Sequence, residues 1–129
     1  MKAIEYKLNE ETYYLVFNGA AMFEFDDHFG GAGNLLDAVK TVKKDTFERL
    51  CEATAILAEQ GELVRRTLGY DKGPIPTLEQ IKTVATPLDV IGMRTAVINA
   101  VMAGYGREIE ADEDTDLVLL ELSQKKTSV

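Results

Sequence analysis

The stretch "FEFDDHFGGAGN", Phe23 to Asn34, gathers the chain's only histidine, three carboxylates and three glycines within a dozen residues. Residues of these types bind metal ions, move protons or cradle phosphate, and spacing decides among those chemistries. Neighbours on a helix point about 100° apart, so Asp26 and Asp27 cannot clamp one ion together. Glu24 and His28, four residues apart, do share a face. Two ligands do not make a metal site, and a third must come from elsewhere because the chain has no second histidine. A helix end accounts for more of the stretch: Glu24 pairs with His28, His28 lies in the last turn where the helix dipole favours a cation, and Gly30 takes the left-handed cap. A small metal-dependent enzyme using Glu24, Asp27 and His28 is the remote alternative.

The other chemical motifs are incomplete. "GGAG" is followed by neither Lys-Ser nor Lys-Thr, and no strand leads into it, so neither nucleotide-binding fingerprint is met. Asp112, Asp114 and Asp116 mimic half a calcium loop, but Leu117 stands where that loop needs glycine and Ser123 where it needs glutamate. Cys51 is alone, which rules out an internal disulfide or a Cys-based zinc site, and its apolar helical surroundings predict a buried structural thiol. No catalytic residue, metal ligand set or cofactor site follows from these residues.

A chain of 129 residues, 46% apolar and 28% charged, has the length and balance of one globular domain. Its formal net charge of -8 repels phosphate backbones and anionic lipid, so neither nucleic acid nor membrane is expected as a partner. Lys40, Lys43, Lys44 and the pair Arg65, Arg66 read as solvated helix ends. The start shows neither a signal-peptide core nor a spanning run, which predicts a protein of the cytoplasm.

The elements that position these residues follow from hydrophobic period. "AIEYKL" and "TYYLVF" alternate around a polar "NEE", predicting an N-terminal β-hairpin over 1–17 whose open edges need a cover. Everything later reads as about five to six helices in one mainly helical α+β domain. A first helical half spans 18–69: Asn18 caps a helix carrying Met22, Phe25 and Phe29, Asn34 caps a short one, and Asp45 with Glu48 caps a long one in which Gly61 either kinks the helix or admits another backbone. The Gly- and Pro-rich segment 70–76 is a loop. The second half, 77–129, opens with a Thr77/Gln80 capping box; Thr86 and Pro87 then start a helix apolar nearly all round. An acidic linker and a leucine-rich C-terminal helix complete it.

These are more apolar faces than a short chain comfortably hides, so either all of them meet in one monomeric core or some serve self-association or a partner's helices. Tyr14 and Val16 of the hairpin, Val90, Met93, Val97 and Val101 of the apolar helix, and Leu117 and Leu120 near the end are the expected partner- or self-contacting surface.

The order "YYLVFNGAAMFEFDDHFGG", "LAEQGELVRRTLGY", "PT" and "REIEADEDTDLVLLELSQKK" resembles the tail assembly chaperones of long-tailed bacteriophages and prophages of Gram-positive hosts, over most of the chain. The resemblance implies a self-associating, mainly helical protein that is not an enzyme. Such chaperones coat the long helical tape measure protein, help recruit tail tube subunits, act in the bacterial host cytoplasm and are absent from the finished virion. Many phages of this kind also make a longer form by frameshifting, for which the adenine-rich codons of Gln124, Lys125 and Lys126 offer a place. The competing expectation is a permanent structural component of the tail or of the head–tail joint.

Overall fold

The hairpin forms as its alternation requires. In the computed structural model, which describes residues 2–106 and 114–116, β1 (Lys2–Leu8) pairs antiparallel with β2 (Glu11–Leu15) in the register Ile4 to Leu15 and Leu8 to Glu11. Only Asn9 and Glu10 make the turn, both at positive φ (50° and 69°), as a type I′ hairpin loop demands. The expected three-residue "NEE" turn is shorter by one because Glu11 already pairs with Leu8.

Five helices follow: α1 (Gly19–Phe29), α2 (Ala32–Ala38), α3 (Lys44–Thr67), α4 (Leu78–Val84) and α5 (Pro87–Gly104). The molecule is therefore α+β and mainly helical. Three of the predicted caps hold at the atom level. Asn18 Oδ1 accepts from the Ala21 N–H at 2.9 Å, Thr77 and Gln80 form a reciprocal capping box, and so do Thr86 and Asp89 with Pro87 at the first helical position. Gly30 ends α1 at φ 75°.

Two caps lie elsewhere. The start of α2 is Gly31, while the Asn34 side-chain amide donates back to the Phe29 carbonyl at 3.2 Å. The start of α3 is Lys43, whose N–H is accepted by the Thr46 hydroxyl at 2.5 Å; Asp45 already lies in the first turn. In both cases a side chain one turn inside the helix reaches backward to the orphan groups.

The cover that the hairpin edges need comes in part from the chain itself. A third strand, β3 (Asp114–Asp116), runs antiparallel to β1 and gives the order β2-β1-β3, so part of the acidic run expected as linker is sheet. Helix α3 covers the other edge: the Val16 N–H donates to the Leu57 carbonyl at 3.2 Å. Satisfying a strand-edge donor from a helix carbonyl blunts the edge without another strand.

One face of the sheet, with Ile4, Tyr6, Leu8, Leu15 and Phe17, meets Phe25, Leu35, Leu50, Leu57, Ile81, Met93 and Val97 in the main core, which draws on residues from both halves of the chain. The opposite face is capped by the far end of α3, where Val64 and Leu68 pack on Ala3, Tyr14 and Val16. Among the described residues, no helix is long and apolar enough to cross a membrane. The expected C-terminal helix, with Leu117 and Leu120, lies outside the described residues.

Candidate functional site

His28 acquires a second carboxylate partner. Helices α1 and α3 bring Glu52 to within 2.5 Å of His28 Nδ1, while Glu24 reaches Nε2 at 3.1 Å. The two carboxylates sit on opposite ring nitrogens, whose lone pairs diverge, so they cannot converge with the ring on one ion. Among the described residues no group of three such side chains is placed to hold a metal. Both ring nitrogens face carboxylate oxygens, one on its own helix and one on α3, so the ring bridges the two helices. Asp26 and Asp27 point to solvent. The cluster is an inter-helix clasp.

Cys51 is fully buried, and burial pushes its thiol up to about 11, which leaves little thiolate at neutral pH. Tyr6 is also raised, first by burial and then by the nearby Asp89 charge, and its hydroxyl donates to the Asp89 carbonyl at 3.1 Å. Both groups are packed as core.

The arginine pair is not a solvated helix end. Glu62, only 4% exposed, accepts from Arg65 Nη1 at 2.5 Å, from Arg66 Nε at 2.7 Å and from the Gly73 N–H at 2.6 Å. Arg66 Nη2 donates to the Gly73 carbonyl at 3.1 Å. Burial alone would raise the Glu62 carboxyl, but the Gly73 N–H and the two guanidinium groups outweigh it and hold the carboxyl below the usual range. The Arg65 guanidinium lies 5.3 Å from the Tyr14 ring centroid and 4.9 Å from that of Tyr70. Arg65 Nε is buried without a hydrogen-bond partner, so the rings and Glu62 together hold this charge. "GELVRRTLGY" thus folds as a clamp that fastens the loop after α3 onto the end of that helix.

Surface is where binding capacity lies, and its residues differ from those expected. Met93, Val97 and Val101 are buried in the chain's own core, at 0%, 0% and 2% exposure, and Val90 packs half-buried against it. Val16 is buried with Ala3, and Tyr14 is half-buried beneath Arg65. These six side chains are occupied within the fold. The exposed apolar residues of α5 are Leu88 and Ile91, at 77% and 64%, followed by exposed Thr95 and half-buried Ile98 and Met102 at successive turns.

Helix α5 therefore has two apolar faces. Met93, Ala96, Val97, Ala100 and Val101 form the buried one. Leu88, Ile91, Thr95, Ile98 and Met102 form the other, at alternating spacings of three and four, the seam of a helix that packs on another helix. Composition announces a helix apolar all round; only the packing tells which face is already used. Beside the stripe a groove of about 390 Å³ runs between β1 and α5, lined by Ile4, Glu5, Tyr6, Lys7, Gly92, Thr95, Ala96 and Asn99.

No protein-family model, no curated protein and no solved structure matches this chain significantly.

Proposed function

We propose that this protein is a tail assembly chaperone of a long-tailed phage or prophage, a non-catalytic binder of the tape measure protein that also aids addition of tail tube subunits. It acts in the bacterial host cytoplasm and leaves before the virion is complete. The sequence resemblance suggests the reading, and the observation that carries it is the outward stripe on α5, in which Leu88 and Ile91 are exposed and Ile98 and Met102 half-buried. A long helical client with apolar residues recurring every three to four positions matches such a stripe by ridge-into-groove packing. His28, Cys51 and Glu62, the groups best placed for chemistry, are engaged in holding helices and a loop together.

Co-expression tests this directly. The tape measure protein of the same gene cluster is expected to shift from the insoluble to the soluble fraction with the wild-type chain, and to stay insoluble with Leu88→Glu/Ile91→Glu. Equal insolubility with and without the wild-type chain overturns the proposal. Recovery of the chain at stoichiometric levels in purified virions would instead support the structural-component reading.

A further inference from the structure

We infer that Asn18, where the hairpin passes into α1, is a site of spontaneous deamidation that the helix cap keeps shut while the chain is folded. The inference stands apart from the chaperone reading and rests on a different part of the molecule. Asn18 is the only asparagine followed by glycine; Asn9, Asn34 and Asn99 are followed by Glu10, Leu35 and Ala100. Glycine has no β carbon to hinder an approach to its own backbone nitrogen. Gly19 is exposed, and nothing lies within 4 Å of where its β carbon would stand. Because Gly19 is the first residue of α1, its N–H has no carbonyl one turn back to accept it.

The reaction needs only water. The Gly19 nitrogen gives its proton to solvent and attacks Asn18 Cγ, the bond from Cγ to Nδ2 breaks, and that nitrogen takes up a proton and leaves as ammonia. Water then opens the resulting succinimide at either carbonyl, giving aspartate or isoaspartate; nothing is oxidised or reduced. Two bonds oppose the attack. Asn18 Oδ1 accepts from the Ala21 N–H at 2.9 Å, and Nδ2 donates to Gln60 Oε1 on α3 at 3.1 Å. Closing the ring draws Cγ toward the Gly19 nitrogen and expels Nδ2, so the first bond has to be given up and the second is lost outright. The site therefore reacts from states in which the first turn of α1 has opened. Its two products treat the joint differently. Aspartate keeps an oxygen for the Ala21 N–H and sets a negative charge at the positive end of α1, while Gln60 can turn its amide to donate. Isoaspartate adds a methylene to the main chain and leaves its carboxylate directly on the α carbon, which breaks the cap.

The test ages the full chain in mildly alkaline buffer, folded and in guanidinium chloride, and follows each asparagine by peptide mass spectrometry. Asn18 is expected to convert at least about tenfold faster unfolded than folded, since two hydrogen bonds hold it in the fold, and to outpace Asn9, Asn34 and Asn99 in denaturant. Gln60→Ala, at a half-buried position of α3, should leave the circular dichroism spectrum unchanged and speed folded-state conversion about three- to tenfold, the worth of one hydrogen bond. Gly19→Ala should slow conversion in both states. Of the aged folded chain, the isoaspartate fraction should unfold at a lower urea concentration than the aspartate fraction. Equal rates folded and unfolded, conversion in denaturant no faster at Asn18 than at Asn9, or a folded-state rate unmoved by Gln60→Ala overturns the inference.

Discussion

Gly61 of α3 presses its bare α carbon onto the carbonyl oxygen of Tyr14 in β2: a β carbon there would lie 1.6 Å from that oxygen. One helical turn earlier, the Leu57 carbonyl takes the Val16 N–H, so the helix and the strand edge lock at two consecutive points. Gly61→Ala must push α3 off the sheet, which also opens the packing of Val64 and Leu68 on Ala3 and Val16. The expected loss is about 3 kcal/mol or more, measured as a fall in the urea midpoint. Gly33→Ala is the matched control. It lies inside α2 with nothing within 4 Å of its added carbon, and should gain about 0.5–1 kcal/mol from helix propensity.

Glu62 holds the loop after α3 through the Gly73 N–H and both arginines. Glu62→Gln leaves two partly buried guanidinium groups without their counter-charge, at a cost of about 3 kcal/mol near neutral pH. The folded-state carboxyl lies below the usual glutamate range, so its contribution is complete above that range and disappears as pH falls through the lowered folded value. Denaturation curves of the wild type and the variant should therefore differ most at neutral pH and draw together as pH falls below the usual glutamate range. A gap that stays constant with pH would mean that Glu62 acts by shape rather than by charge.

Local grammar made much of this fold legible. Asn18, Thr77, Thr86 and Pro87 mark helix starts because their capping bonds span only three residues, and Gly30 marks a stop for the same reason. Contacts between distant segments were not legible. The pressure of Gly61 on Tyr14 joins residues 47 apart, and the sequence offered only the alternatives of a kink or a close approach. The strand at Asp114–Asp116 has a linker's composition and is strand only through its pairing with Lys2–Ile4. For the site, the α5 pattern was visible, but Val90, Met93, Val97 and Val101 fit the same helical period as Leu88, Ile91 and Thr95. Which stripe faces the core depends on where the sheet lies, and period alone does not encode that.

His28 clasps α1 to α3 through Glu52, with Glu24 of its own helix on the other ring nitrogen, yet its side chain is 43% exposed. Water screens such a bridge, so His28→Ala should cost under about 1 kcal/mol and leave the unfolding slope unchanged. The purified wild-type chain, assayed for bound zinc, manganese and iron, should hold no stoichiometric metal that His28→Ala releases. A metal lost on that substitution would revive the enzyme alternative.

Glu10 carries a side chain in a conformation that glycine adopts freely. The hairpin turn needs positive φ at both of its central residues, and Asn9, at 50°, is a residue type that tolerates it; Glu10, at 69°, is not. The left-handed region costs a residue with a β carbon about 1–2 kcal/mol relative to glycine. Glycine forfeits part of that gain through the greater freedom of its unfolded chain, by about 0.5–1 kcal/mol. Glu10→Gly, which makes the turn Asn-Gly, should therefore stabilise the protein by about 0.5–1 kcal/mol, read as a higher urea midpoint with an unchanged slope. Glu10 is exposed, so its removal disturbs no packing that could mask the gain. Asn9→Ala should move the midpoint the other way, because alanine lacks the side-chain amide that eases the left-handed turn.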